Sequence, residues 1–147
     1  MTATDEATPV SAATLYYEVQ QFYAQQMQLL DDGRVEEWAG TFTEDGVFAA
    51  NAHPEPVVGR AAITAAAARA TEEYAAKGVQ RRHWLGMVSV EPVDERSANA
   101  RCYALVIETP RGGQAAIRVS TLCVDRLVRD GDGWLVQDRQ VSRDDLA

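Results

Sequence analysis

The sequence has few of the residues that build metal centres and disulfide frameworks. Two cysteines and two histidines occur among 147 residues, and none lies in CxxC, HxH or HExxH spacing. Cys102 and Cys123 are too few for a disulfide framework, so they are expected to be small core or cavity-wall residues, although a bridge between them stays open. A metal site would need carboxylates such as Glu55 or Glu108 to converge by tertiary folding, so we expect neither a metal nor another cofactor.

Positive charge and long apolar runs are also scarce. Fourteen Lys and Arg stand against 22 Asp and Glu, which gives a formal net charge of −8, and the arginines are scattered. Nucleic acids and anionic membranes require clustered positive charge, so neither is an expected partner. No apolar run approaches the roughly 20 residues that cross a bilayer, and residues 1–14 lack the segments of a signal peptide. These absences favour a cytoplasmic protein.

The chain length and composition favour one folded domain. A chain of 147 residues with 46% hydrophobic residues can bury one core but not two of ordinary size. Residues 1–12 mix Thr, Asp, Glu and Pro with few large apolar side chains, so they are predicted to be a frayed or disordered leader. Residues 13–147 are predicted to form the single domain.

Three helices are predicted in the first half of the chain. Apolar residues recur at helical spacing from Leu15 to Leu30, behind a cap at Ser11 or Thr14, and the helix ends before Gly33. A short helix is predicted for Val35–Thr41. The alanine-rich stretch that follows Gly59 and ends at Gly78 predicts the third helix.

Five strands are predicted after the second helix. The first is Val47–Asn51, and four more follow the third helix, separated by Pro, Gly and Asp turns. They are Gln80–Val90, Ala98–Thr109, Gln114–Arg129 and Trp134–Val141. This order predicts an α+β fold in which three N-terminal helices pack on a strongly curved, mainly antiparallel sheet. Such a sheet tends to close a cone with a pocket at its open end, and apolar residues on both of its faces predict a homodimer.

The segment RRHWLGMVSV, residues 81–90, puts a histidine in the middle of a predicted strand. Alternation places His83, Leu85 and Met87 on one face. Histidine is the side chain whose unperturbed pKa lies near neutrality, so a half-buried histidine in a pocket is a candidate for proton transfer. The alternative is a hydrogen-bonded histidine of the core.

Three segments resemble a known superfamily. QQFYAQQMQLLDDGRVEEWAGTFTEDGVF (residues 20–48), RRHWLGM (81–87) and DGDGWLVQDRQV (130–141) are similar to nuclear-transport-factor-2-like proteins. The resemblance is to the branch of SnoaL-like polyketide cyclases, scytalone dehydratase and the small subunits of ring-hydroxylating dioxygenases. Small proteins of actinomycete aromatic polyketide pathways, of the benzoisochromanequinone type, are the most similar. The resemblance implies a cone-shaped fold with a pocket, and His83 matches a catalytic histidine of scytalone dehydratase.

The resemblance also implies which residues line the cone. Around His83, Asp31 and Tyr23 it suggests a mostly aromatic and apolar chamber suited to a flat polycyclic ligand. The expected ligand-binding residues are Met27, Trp38, Phe42, Phe48, Asn51, His53, Leu85, Met87, Tyr103, Leu105, Glu108, Thr121 and Cys123. The alternative for each aromatic residue is an ordinary role in the core. The alternative for His53 is a solvent-exposed position in a loop.

The chemistry assigns a candidate role to several of these residues. His83 is the candidate acid or base, with Asp31, or otherwise Glu108, fixing its tautomer. Asp31 has a helix-end role as its alternative. Tyr23 or Tyr103 is expected to polarise a carbonyl, while Asn51 and Thr121 orient hydroxyls or water. The second catalytic histidine of scytalone dehydratase has no counterpart here, because the following strand carries Leu105, Ile107 and Thr109.

We therefore predict a cofactor-independent dehydratase, cyclase or isomerase that acts on an aromatic polyketide intermediate by general acid-base catalysis. The alternative is a non-catalytic ligand-binding or assembly subunit of an oxygenase-type complex. That alternative predicts a cone plugged by side chains.

Overall fold

The computed structural model of the chain describes residues 10–146, so residues 1–9 of the predicted leader lie outside the described residues. The described part forms three α-helices, six strands and a final 3₁₀ turn. The helices are α1 (Ala12–Asp31), α2 (Val35–Ala39) and α3 (Arg60–Lys77). The strands are β1 (Phe42–Ala50), β2 (Val57–Val58), β3 (Val79–Asp94), β4 (Ser97–Pro110), β5 (Ala116–Asp130) and β6 (Gly133–Arg143), followed by the turn Asp144–Leu146.

The six strands form one curled sheet in the order β2-β1-β6-β5-β4-β3. β3 to β6 make the predicted antiparallel meander, and β1 joins its edge in parallel to β6. The helices pack on the sheet, so the predicted α+β class and the mainly antiparallel sheet are confirmed. No helix among residues 10–146 is both long and apolar enough to cross a membrane.

The helix ends follow their sequence signals. Ser11 caps α1, and its hydroxyl oxygen accepts a hydrogen bond from the Thr14 amide at 3.1 Å. α3 ends at Gly78, whose φ of 67° lies in the left-handed region and whose N–H bonds back to the last turn. α2 ends at Ala39, two residues before the predicted Thr41.

The first strand differs from the prediction. β1 begins at Phe42 rather than at Val47, and its pairing with β6 shifts register between these two residues. Thr43, Glu44, Asp45 and Gly46, whose residue types predict a turn, therefore form an irregularity inside a strand. β2 was not predicted, because two residues carry too little pattern to be distinguished from a loop.

The core lies between the first two helices and the inner face of the sheet. Its fully buried members include Val19, Phe42, Leu127 and Val136. Cys102 and Cys123 stand directly opposite each other on β4 and β5, and both are buried and free. Their expected core role is confirmed, and they form no bridge.

A bulge interrupts β3 and corrects the prediction for Met87. The pairing of β3 with β4 shifts register between Gly86 and Ser89, and Met87 takes a φ of 52°. This extra residue reverses the alternation, so Val88 points into the core and Met87 is 80% exposed. Met87 therefore does not line the cavity.

Candidate active site

A cavity of about 780 Å³ lies between the helices and the inner face of the sheet. Its volume falls within the range of about 300–1,000 Å³ that is usual for small-molecule sites. The sequence-predicted residues that line it are Met27, Asp31, Trp38, Phe48, His53, His83, Leu85, Thr121 and Cys123. Most of the remaining wall is aliphatic, which suits an apolar ligand oriented by a few polar groups.

Asp31 and His83 form a hydrogen-bonded pair on the cavity wall. Asp31 is the last residue of α1, and its Oδ1 lies 2.6 Å from His83 Nδ1. Its Oδ2 accepts a hydrogen bond from the His83 main-chain amide at 3.0 Å. The His83 side chain is 16% exposed and the Asp31 side chain is 7% exposed. One carboxylate therefore holds both the ring and the backbone of the histidine.

The pairing determines which ring nitrogen of His83 is available. An ionised carboxylate only accepts hydrogen bonds, so Nδ1 carries the proton that points at Asp31. In the neutral imidazole this leaves Nε2 with a free lone pair. Because His83 lines the cavity, a ligand can reach the ring that carries this lone pair.

A second polar cluster borders the cavity through Arg139. Arg139 donates to Asp125 from Nε at 2.9 Å and from Nη2 at 2.8 Å, and Nη2 also donates to Gln26 Oε1 at 2.8 Å. The Tyr23 hydroxyl donates to Asp125 Oδ2 at 2.6 Å. Asp125 and Arg139 are almost fully buried, and Arg139 reaches the cavity wall. The charges are thus paired where water is excluded, as buried charges require.

The cluster changes the ionisation of its members. Burial, followed by the neighbouring Asp125 carboxylate, raises the pKa of Tyr23 far above its usual range. A hydrogen bond with Cys102 and burial raise the pKa of Cys123 in the same direction. Both groups therefore stay protonated at neutral pH, and neither serves as an anionic nucleophile.

The sequence profile of SnoaL-like domains matches residues 11–140. The chain belongs to the SnoaL-like domain family. A search of curated proteins gave no match.

Solved structures of three actinomycete proteins share the fold over 90–95% of this chain. A protein from Catenulispora acidiphila in complex with S-DNPA is 38% identical, with 90% of this chain and 96% of that chain covered and a TM-score of 0.78. ActVI-ORFA from Streptomyces coelicolor is 34% identical, with coverage of 90% and 96% and a TM-score of 0.81. Aln2 from a Streptomyces species is 32% identical, with coverage of 95% and 96% and a TM-score of 0.84.

Three residues expected to bind ligand in the SnoaL-like cavity have structural contacts instead. Phe42 is fully buried in the core against the Trp38 ring. Asn51 is exposed, and its side chain pairs with both main-chain polar groups of Arg143. Glu108 faces Arg81 at 3.9 Å and lies outside the cavity lining, so Asp31 and not Glu108 contacts His83.

Two further expectations fail because β4 presents the opposite face. Tyr103 and Leu105 point away from the cavity, while Ala104 and Val106 line it. Both faces of β4 are apolar, so alternation alone did not determine which face turns inward. Small residues line the inner face, and large ones there would fill the space that the cavity occupies.

Tyr23 also differs from its expected role. Its hydroxyl proton is committed to Asp125, so it is not positioned to polarise a carbonyl in the main cavity. Its ring lines only a smaller cleft of about 230 Å³ between α1 and β3. The structure therefore places Tyr23 outside the main cavity, with its hydroxyl paired to Asp125.

Several lining residues of this SnoaL-like domain were missed from the sequence. They include Arg139, Arg81, Tyr74 and the α3 alanines Ala66, Ala67 and Ala70. A signal for the polar cluster was present, because Asp125 falls on the buried face of β5 between Cys123 and Leu127. A carboxylate in that position requires a buried cationic or donor partner.

Proposed function

We propose that this SnoaL-like protein is a cofactor-independent dehydratase, cyclase or isomerase acting on an aromatic polyketide intermediate. The observation that carries the proposal is the His83–Asp31 pair on the wall of a mostly apolar cavity of about 780 Å³. A histidine with one nitrogen fixed by a carboxylate and the other free is the arrangement that general acid-base catalysis uses.

The geometry supports elimination of water from a hydroxyketone as the model reaction. His83 Nε2 takes the proton from the carbon next to the ketone, and the electron pair forms the enolate. As the enolate collapses, the hydroxyl on the neighbouring carbon leaves with the proton returned by Nε2, so one water is released. Asp31 stabilises the intermediate imidazolium through Nδ1. A cyclase or isomerase would use the same proton transfers with a different acceptor.

The cavity wall and the relatives support the substrate class. Trp38, Phe48 and Tyr74 offer aromatic surfaces around an otherwise aliphatic chamber, which favours a flat polycyclic ligand. The related Catenulispora protein was solved in complex with S-DNPA. The open cavity supports an enzyme over an assembly subunit, which would have a plugged cone.

Turnover assays with His83→Ala test the proposal. The variant should lose about 10² to 10⁴ in kcat/KM on aromatic hydroxyketones of this class, because that is what a general acid-base residue contributes. Ser89→Ala, on the same strand and exposed, is the matched control and should keep wild-type activity. Product formation followed by absorbance and mass spectrometry measures both. Activity of His83→Ala within a few fold of wild type would remove His83 from the mechanism.

We also infer that the protein works as a homodimer in the cytoplasm. The outer face of β3 to β5 exposes Trp84, Tyr103, Ile117 and Val124, which together form a large apolar surface. Surfaces of this kind are usually covered by a partner. Both cysteines are free, which agrees with a reducing compartment.

A further inference from the structure

Arg81 lies on the same side of β3 as His83. The two residues are separated by one position in the strand, so their Cβ atoms are roughly 7 Å apart. Both line the cavity. Arg81 and His83 therefore present neighbouring side chains to the same cavity.

The Arg81 guanidinium is held in place without being neutralised at close range. Its Cζ lies 4.3 Å from the centre of the Tyr74 ring, on α3. Its Nε is buried and has no hydrogen-bond partner within the described residues. The nearest carboxylate contact is Glu108, at 3.9 Å, which exceeds hydrogen-bond distance. Stacking on an aromatic ring fixes the plane of the guanidinium and leaves its outer nitrogens to bind another group.

The other charges on the cavity wall have close partners or lie at the rim. Arg139 bonds Asp125 at 2.8 Å and Arg143 bonds Asp145 at 2.7 Å. Asp31 holds His83 at 2.6 Å, and Asp32 is exposed after the end of α1. Within residues 10–146, Arg81 is therefore the cavity-lining arginine that lacks a short carboxylate contact. It lacks this contact although acidic residues outnumber basic ones and the formal net charge is −8.

We propose that Arg81 binds a carboxylate of the ligand, so that the preferred substrate is an aromatic acid. The inference rests on the proposed function and names its substrate class. Nη1 and Nη2 donate to the two carboxylate oxygens, since the guanidinium fork matches a carboxylate in shape and charge. Arg81 thereby determines specificity and orients the ligand against His83.

Binding of a matched acid and amide to the wild-type protein tests the proposal without any substitution. Isothermal titration calorimetry with 2-naphthylacetic acid and 2-naphthylacetamide compares two ligands of the same shape that differ in charge. The acid should bind on the order of 10- to 100-fold more tightly, as a charge-assisted hydrogen bond predicts. Equal affinities, or no measurable binding of the acid at millimolar concentration, would overturn the proposal.

Variants assign the acid preference to Arg81. Arg81→Gln should bind acid and amide equally, whereas Arg82→Gln, its exposed neighbour on the outer face, should keep the preference. His83→Gln should also keep it, which separates anion binding by Arg81 from binding by a protonated imidazole. Far-ultraviolet circular dichroism checks that each variant is folded. If Arg81→Gln retains the acid preference, Arg81 does not bind the carboxylate. The acid-base role of His83 is tested separately, by the turnover of His83→Ala.

Discussion

Asp31 is the residue on which the geometry of the candidate site depends. Its two carboxylate oxygens accept from two different groups of His83, the ring Nδ1 and the main-chain amide. A single contact to the ring would leave the strand free to shift, and a single contact to the backbone would leave the ring free to rotate. The double contact fixes both, which is what a positioned base requires.

Replacing Asp31 with Asn should separate orientation from binding. The amide is nearly the same size, but its NH₂ group can donate to Nδ1 and so place the proton on Nε2, the wrong tautomer for a base. We expect kcat to fall by about 10² to 10⁴ while KM changes little. Steady-state kinetics measures this, with the exposed Glu36→Gln as a control of equal charge change. An unchanged kcat would mean that Asp31 acts only as a helix-end residue.

Tyr23 gives the protein a pH dependence at the alkaline end. Its pKa is raised in the folded state above the ordinary value of 10.0, so the folded state keeps the phenol proton that the unfolded chain loses. The stabilising contribution is therefore complete below about pH 10 and is lost as the pH rises above that value. The contribution of Tyr23 to the unfolding free energy should decrease by about 1.4 kcal/mol per pH unit there.

Tyr23→Phe should remove the Tyr23 part of that alkaline slope, about 1.4 kcal/mol per pH unit, and leave the part that comes from Cys123, whose pKa is also raised. Urea unfolding between pH 8 and about 11 measures it. Tyr17→Phe, an exposed tyrosine on the same helix, is the matched control and should keep the wild-type slope. If Tyr23→Phe shows the same alkaline loss as wild type, another group is responsible for it.

Among the elements, α3 depends on the backbone of a single residue at its end. Gly78 has a φ of 67°, and a side chain there would come no closer than 4.0 Å to Arg111 Cβ. The cost of a substitution is therefore conformational and not steric. Gly78→Ala should lower the unfolding free energy by about 1 kcal/mol. Gly78→Asn should lower the unfolding free energy by less, because Asn tolerates this conformation. Equal stability of Gly78→Ala and wild type by urea unfolding would contradict this account.

The long elements could be predicted from the sequence because their signals are local. α1 has helical periodicity and a cap at Ser11, α3 is rich in alanine and is followed by Gly78, and Gly and Asp turns separate the strands of the meander. Asp31, at the end of α1, was the first of two carboxylates expected to contact His83, since an imidazole in a pocket needs an orienting acceptor. These inferences require only spacing and side-chain chemistry.

The parts that failed depend on tertiary register. Met87 faces outward because a bulge in β3 changes the alternation. Gly86 is a residue type found at bulges, but a strand glycine alone does not determine whether a bulge forms or which neighbour it turns outward. Tyr103 and Leu105 face outward because the curl of the sheet chooses which apolar face of β4 is inside. Arg81 could not be identified, because its Tyr74 partner comes from another element.

On the scale of the whole molecule, the outer face of the sheet exposes large apolar side chains to solvent. Trp84 and Ile117 are 66% and 64% exposed on neighbouring parts of that face. Trp84→Glu and Ile117→Glu should each convert a dimer into a monomer, because burying an unpaired charge costs several kcal/mol. Sedimentation velocity measures the change.

A matched control comes from the helical side of the molecule. Tyr17 on α1 is as exposed as Trp84 but lies away from the sheet face, so Tyr17→Glu should leave the assembly unchanged. A monomeric wild-type protein, or a dimer that tolerates both glutamates, would show that this face is not the interface.

The alanine face of α3 gives the cavity a wall of small side chains. Ala66, Ala67 and Ala70 line the chamber together with Ile63, the buried residue of that helix. A larger side chain at one of the alanines would extend into empty space rather than into packed atoms, so it escapes the usual penalty of overpacking. Ligand size is thus adjustable one residue at a time without loss of the fold. Under the proposed function, a lineage carrying this helix would exchange one ligand for another by small steps while His83 and Asp31 stay in place.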